Sequence, residues 1–428
     1  SIPFIIENFS KIDDNPYQDI ANLIKQKKIR YIVTIARGTS DCAALYASYI
    51  FAKYLGLPTY SMPPSIITLE NSKFDFSEAL VIVISQSASS IDLIECEKKS
   101  RSMGAKTIII SNNPNSQIVN EANFFFNMYA DVEKSVAATK SFVQTLIVLI
   151  KLISTCLEKK EINDNIKKLS EFLINDSENH WDHMLVNKDI NTGFILGRGV
   201  GFALSNEISL KFKELCQEQI EPFSSAEVMH GPRSLLQNSF KLFTLSINDN
   251  SGVTVSKDSK ELSDYTNLFY EISFKEKATF KYTLFDKAEF DPIIIMAKFY
   301  PWIIKYAIHK GLDPDKPRYL TKITKSSNAL LIDRGDLSRY VPIEEIPVKQ
   351  NMIINKAKKL KKPVYVATNL LETMIKESLP TRAESQDIYS TLKQGTKGLV
   401  LAAETAIGKN PIQCVNFLKK CIKVFKKN

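Results

Sequence analysis

One stretch limits the fold of this chain more than any other: Val81-Ile82-Val83-Ile84-Ser85-Gln86-Ser87-Ala88-Ser89-Ser90-Ile91-Asp92. Four consecutive β-branched apolar residues predict a strand buried on both faces, as in a parallel sheet. From Ile91 to Met103 the apolar spacing turns helical, with Ile91, Leu93, Ile94 and Cys96. The turn between them is crowded with hydroxyls and holds no basic residue. A strand ending in small hydroxyl residues at a helix start points backbone N–H groups and Ser Oγ donors at one spot. The helix dipole makes that spot attractive to an anion. Phosphate held this way needs no lysine, which favours a sugar phosphate over a nucleoside triphosphate. An ordinary N-cap is the alternative, but one Ser would suffice for that.

The layout recurs. Tyr31-Ile32-Val33-Thr34-Ile35-Ala36-Arg37-Gly38-Thr39-Ser40 and Gly193-Phe194-Ile195-Leu196-Gly197-Arg198-Gly199-Val200-Gly201 both run an apolar strand into Arg-Gly and then an amphipathic helix. Two copies of one strand–turn–helix opening predict an internal duplication, two α/β domains of similar build.

At 428 residues the chain suits two or three domains. The longest apolar run, Leu146 to Leu157, is short for a bilayer, is interrupted by Lys151 and reads as a buried helix. No membrane association is expected, and no signal peptide is visible. The chain begins with Ser, so its start is expected to be trimmed or the chain to be a fragment. Cys42, Cys96, Cys156, Cys216, Cys414 and Cys421 form no C-x-x-C pair. That favours a reducing, cytoplasmic setting and argues against a thiolate metal site. The net charge of +9 comes from dispersed lysines and a C-terminal cluster, Lys419 to Lys427. Without a nucleic-acid reading motif this is a solvated basic face, and no nucleic acid is expected as a partner.

Three segments follow. Residues 1–165 alternate strand and helix, with strands expected at Tyr31–Ile35, Thr59–Ser61, Leu80–Ile84, Thr107–Ile110 and Phe124–Asn127. A long apolar helix should run from about Thr139 to Leu157, and Glu158–Lys168 reads as its end and a link. Residues 166–326 carry strands near Phe194–Leu196 and Leu242–Ile247, with no clear pattern over Val253–Asp286. Residues 327–428 restart the alternation at Ala329–Ile332, Pro363–Thr368 and Gly398–Ala402. The expectation is an α/β protein: two doubly wound parallel sheets, with ligands outside the C-terminal strand ends, and a smaller third element.

In the second segment Glu207, Lys211 and Glu214 stand at i, i+4 and i+7, so they share one helix face. Surface Glu–Lys pairing is the common reason for such spacing. Ala226-Glu227-Val228-Met229-His230-Gly231-Pro232 follows, with His230 one of only four histidines.

Six motifs in order carry a resemblance. Arg37-Gly38-Thr39-Ser40, Ser85-Gln86-Ser87 with Ser90, and Ser135-Val136-Ala137-Ala138-Thr139-Lys140 resemble the signature loops of a first sugar isomerase (SIS) domain. Leu210–Glu214, Ala226–Pro232 and the run from Gly311 to Lys322 resemble those of a second. The similarity is to double-SIS proteins: the isomerase half of glucosamine-6-phosphate synthase and the SIS-type glucosamine-6-phosphate deaminases. It implies a hexose 6-phosphate substrate whose phosphate is held by Thr39, Ser40, Ser85, Gln86, Ser87 and Ser90, with Ala137 and Ala138 lining the sugar. It also implies that Glu214 moves a proton between C1 and C2, that Lys211 orients the substrate, and that His230 assists ring opening. That histidine can come from a neighbouring subunit, so a homodimer is expected. Lys322 would sit on a tail over the site, forming an imine or steadying an oxyanion. No cofactor or metal is implied. With no amidohydrolase segment in sight, glucosamine 6-phosphate deamination is expected rather than synthesis. An aldose–ketose isomerase, a deglycase or a non-catalytic phosphosugar module are the alternatives.

One departure stands out: the family motif Ser-Gln-Ser-Gly has Ala88 in its fourth place. If that position needs φ > 0, alanine costs about 1 kcal/mol. A second resemblance covers the third segment. Asp333–Leu337, Lys362–Glu372, Pro380–Glu384 and Glu404–Lys409 are similar to the last three βα units of the pyruvate kinase barrel. Asp336 would match a metal-binding aspartate and Thr368 an active-site threonine. A barrel needs eight strands, so kinase activity is not expected, and three units leave open edges and apolar faces to cover. The segment is therefore expected to be a partial barrel that packs on the SIS body or on a partner.

Overall fold

The computed structural model describes residues 2–11, 14–133, 135–159, 161–176, 181–184, 186–237, 239–318, 329–338, 341–360 and 362–427. They form two compact units, 1–322 and 323–428. In the first unit, strands β1 (Tyr31–Ile35), β2 (Thr59–Ser61), β3 (Ala79–Ile84), β4 (Lys106–Ser111) and β5 (Phe124–Asn127) pair in parallel, in the order β2-β1-β3-β4-β5. Every residue of β3 is buried. Helices α1 (Ile2–Ile6), α2 (Asn15–Lys25), α3 (Thr39–Leu55), α4 (Pro64–Thr68), α5 (Ile91–Ser102), α6 (Gln117–Glu121) and α7 (Lys140–Cys156) cover its faces. The apolar run expected as a helix is α7, which buries even Lys151, paired with Asp14 at 2.6 Å. The segment read as a link contains the start of a further helix, α8 (Ile162–Asn175), which packs on α1.

The second sheet repeats the first. Its strands β6 (Thr192–Gly197), β7 (Gln219–Ser224), β8 (Lys241–Leu245), β9 (Phe269–Ser273) and β10 (Phe280–Lys281) lie in the order β10-β9-β8-β6-β7. Counted within each domain, both sheets read 2-1-3-4-5. The turns after the first strands also agree: Gly38 has φ 57°, ψ −132°, and Gly199 has φ 57°, ψ −134°. Only glycine enters that region at no steric cost. Around this sheet lie α9 (Val200–Cys216), α10 (Ser225–His230), α11 (Asn250–Leu262) and α12 (Asp291–His309). One apolar core runs through both domains, with α3 packed against α9 and α9 against α12. β7, β9 and β10 were not expected; β7 hides its pattern behind Pro222, tolerated there because β7 is an edge strand.

The second unit holds a three-stranded parallel sheet, β11 (Leu330–Asp333), β12 (Val364–Ala367) and β13 (Gly398–Val400). Its helices are α13 (Arg334–Leu337), α14 (Ile346–Lys359), α15 (Arg382–Lys393), α16 (Ala403–Ala406) and α17 (Pro411–Phe425). Ile332, Val364 and Val366 pack against Ile354 and Ala357 of α14. On the other face Leu331 stays 59% exposed, and the described strands close no barrel.

Candidate active site

In a sheet of order 2-1-3-4-5 the connections leave strands 1 and 3 in opposite directions, so a crevice opens beyond their C-terminal ends. In the first domain the β1 turn (36–39) and the β3 loop (85–90) lie there. The loop is tied down through its carbonyls. Asn112 N–H and Ser111 Oγ donate to the Gln86 carbonyl (3.1 and 3.2 Å), and Asn113 Nδ2 donates to that of Ser87 (3.1 Å). Ser116 Oγ donates to the Ala88 carbonyl (2.5 Å), and Ala88 N–H donates to Ser85 Oγ (3.2 Å). Ala88 does sit in the left-handed region, at φ 49°, and its methyl is buried. Ser90 occupies the N-cap of α5, yet its side chain makes no capping hydrogen bond. The ordinary N-cap reading therefore does not describe it. Arg37 pairs with Asp92 in the first turn of α5, neutralising that carboxylate.

The polar face of α9 is not a surface feature. Lys211 and Glu207 are fully buried, and the side chain of Glu214 keeps 19% exposure. Lys211 Nζ donates to Glu214 Oε2 (2.8 Å) and to Thr39 Oγ1 at the start of α3 (2.8 Å), and lies 3.3 Å from Glu207 Oε1. Tyr300 OH, on α12, donates to Glu207 Oε1 at 2.8 Å. Burial pushes the Glu207 carboxyl above its ordinary range against the pull of Lys211 and Tyr300. Burial also opposes the Lys211 ammonium, but the two carboxylates outweigh it and raise its pKa. The result is a charged group held rigidly behind a carboxylate that itself faces outward.

The structure thus brings Thr39, Lys211 and Glu214 together and adds Glu207 and Tyr300. A helix apolar on several faces, with Ala203, Leu204, Ile208, Phe212 and Leu215 buried, was the available signal that Glu207 is internal. Glu133 was also missed. Its carboxylate accepts the Thr139 and Ser141 N–H groups (3.2 and 3.1 Å), capping α7 and fixing the loop with Ala137 and Ala138. Ala137 is buried and Ala138 half-buried. Ser40, Gln86 and Ser87 are half-buried beside the crevice, and Ser85 is buried. His230 ends α10, is exposed, and among the described residues has no hydrogen bond to Glu214 or Lys211. Lys322 lies outside the described residues.

The second domain answers its own crevice differently. Asp249 caps α11, accepting from Gly252 N–H (3.0 Å) and Ser251 Oγ (2.6 Å). A built-in carboxylate takes the place that an anion would take in the first domain. In the second unit Asp333 Oδ1 accepts from Gly335 N–H, Asp336 N–H and Thr368 Oγ1 (2.9, 3.2 and 3.0 Å). Asp336 is exposed, and no three potential ligands cluster among the described residues. These groups do not fit the metal that the pyruvate kinase resemblance implies.

Residues 23–154 match the SIS domain family, and residues 309–415 match the pyruvate kinase barrel domain. The glutamine–fructose-6-phosphate aminotransferase (isomerizing) of Sulfolobus acidocaldarius is 29% identical over 313 residues, 70% of this chain and 51% of the relative. The pyruvate kinase of Thermotoga maritima is 42% identical over 123 residues, 29% of this chain and 25% of the relative. The chain thus spans a quarter to a half of these relatives. A structure described as a phosphosugar isomerase from Silicibacter pomeroyi has a TM-score of 0.65 at 27% identity, covering 73% of this chain and 97% of its own. A glucosamine-6-phosphate deaminase from Thermotoga maritima shares the fold, with a TM-score of 0.60 at 19% identity. The chain is similar to double-SIS proteins in its first unit and to part of a pyruvate kinase barrel in its second.

Proposed function

We propose that the chain is a phosphosugar deaminase converting glucosamine 6-phosphate and water to fructose 6-phosphate and ammonia. The observation that carries this reading is Glu214, a part-exposed carboxylate clamped at 2.8 Å by a buried lysine that also reaches the β1 turn. The phosphate rests on the β3 loop with Thr39 and Ser40. After ring opening, Glu214 removes the proton from C2 and returns it to C1, passing through an enolamine; water then hydrolyses the resulting ketimine. Such a base needs fixed geometry more than an extreme pKa, and Lys211 supplies that. His230 is exposed and so accessible to a second subunit, in line with ring opening across a homodimer. In this reading Lys322 forms an imine with the ketose or steadies the developing oxyanion.

Incubation with glucosamine 6-phosphate, assaying ammonia and fructose 6-phosphate, tests it. Both products without added glutamine are expected. Aldose–ketose exchange without ammonia would make it a plain isomerase. Tight binding with no turnover of any hexosamine or hexose phosphate would make it a binding module.

A further inference from the structure

Beside Tyr300, within the first unit, lies a partly open cavity of about 460 Å³, within the range of small-molecule sites, with Phe4, Ile174 and Ile304 of its lining exposed. Its walls are mostly apolar and come from α1, the end of α8 and α12, including Ile2, Phe4, Ile174, Ala297, Pro301 and Ile304. A sugar phosphate would leave such walls unpaired, so this is not a second copy of the substrate crevice. Among the described residues the charges in the lining do not cancel. Lys298 is neutralised by Asp176 at 2.6 Å, whereas Lys140 has no carboxylate partner among the described residues. Its ammonium donates to the Val132 carbonyl (3.0 Å) and retains further donors. The complementary occupant has an apolar body and one negative charge.

Two parts of the wall belong to the catalytic frame. Tyr300 forms the cavity side of the hydrogen bond to Glu207, which faces Lys211 and through it Glu214. Thr139 and Lys140 open α7 directly after the Ala137-Ala138 loop. We propose that this cavity is an effector site for an amphipathic monoanion, an aromatic or acyl carboxylate or sulfonate, whose binding is transmitted to α9 through Tyr300 and Glu207. A ligand shifts an equilibrium only by binding one state better. Here the difference arises because filling the cavity restricts the Tyr300 ring and so the position of Glu207. The binding half is independent of the deaminase reading; its effect on turnover rests on Glu214 being the base.

The test uses the full chain and the aromatic sulfonate 8-anilinonaphthalene-1-sulfonate, followed by fluorescence. Saturable 1:1 binding is expected, lost in Ile304→Trp, which fills the cavity, and about ten-fold weaker in Lys140→Met. Ile174→Trp at the rim repeats the filling test should Ile304→Trp misfold. Hydrogen exchange over α9 should slow when the probe binds, and should not respond in Tyr300→Phe although that variant still binds it. A signal undiminished in the filled variants, or unaffected by Lys140→Met, would overturn the site. Binding with no change in α9 exchange would overturn the transmission. Neither readout requires turnover, so absence of deaminase activity would count only against the proposed reaction.

Discussion

At the scale of single residues, Glu214 and Glu207 sit on one helix and differ in what faces them. Glu214 is part-exposed and bound to Lys211, so it can meet a substrate carbon; Glu207 is sealed behind it and touches only protein. Glu214→Gln keeps the shape and removes the basicity. Turnover should fall by ~10²–10⁴-fold with phosphosugar affinity nearly unchanged. Wild-type turnover in that variant would remove Glu214 from the mechanism. Ala88 is the other decisive residue. Its left-handed backbone costs about 1–2 kcal/mol, and its buried methyl returns ~0.8 kcal/mol. Ala88→Gly should therefore stabilise by up to about 1 kcal/mol, and Ala88→Val should destabilise by roughly 2 kcal/mol or more, because a branched side chain at this φ adds strain to overpacking. Urea unfolding of both variants decides it; a destabilised Gly variant would show that packing outweighs strain here.

Elements carry their own consequences. Asp291 opens α12 fully buried, and its Oδ2 accepts from Asn248 N–H and Tyr282 OH, both at 3.0 Å. Burial raises its pKa to about 6, although those two hydrogen bonds pull it down. A raised carboxyl holds its proton longer folded than unfolded, so the group favours folding below its unfolded pKa. That stabilisation is lost as pH rises from about 4 through 6, by up to roughly 1.4 kcal/mol per pH unit. Asp291→Asn should flatten this slope and narrow the stability difference between pH 4.5 and 7.5 measured by urea unfolding. An unchanged slope would assign the titration elsewhere. The same scale shows why some elements escaped sequence reading. β3 was legible because a doubly buried strand needs unbroken apolar residues. β7 was not, because an edge strand tolerates Pro222 and polar neighbours, and β10 is only two residues long.

Across the whole molecule no disulfide is formed: all six cysteines are free, and Cys42, Cys96, Cys216 and Cys414 are buried. Burial pushes the Cys96, Cys156 and Cys216 thiols up to about 12. The native protein should resist iodoacetamide at pH 7.5, react at six sites once unfolded, and keep its Tm when reductant is added. Rapid native labelling would contradict this arrangement. The division between what sequence and structure decide follows from range. Turn chemistry and strand burial are local, so the residues themselves determined the α/β class, the duplicated Arg-Gly openings, the hydroxyl loop and the partial barrel. Face-sharing of Glu207, Lys211 and Glu214 was equally local, a matter of 3.6 residues per turn. Whether that face met water or α3 and α12 was not. Only packing placed Thr39 and Tyr300 against it, turned a surface salt-bridge pattern into a buried clamp, and set Asp249 where the second domain would otherwise have offered an anion site. Burial is a property of elements far apart in the chain, and no window of neighbouring residues contains it.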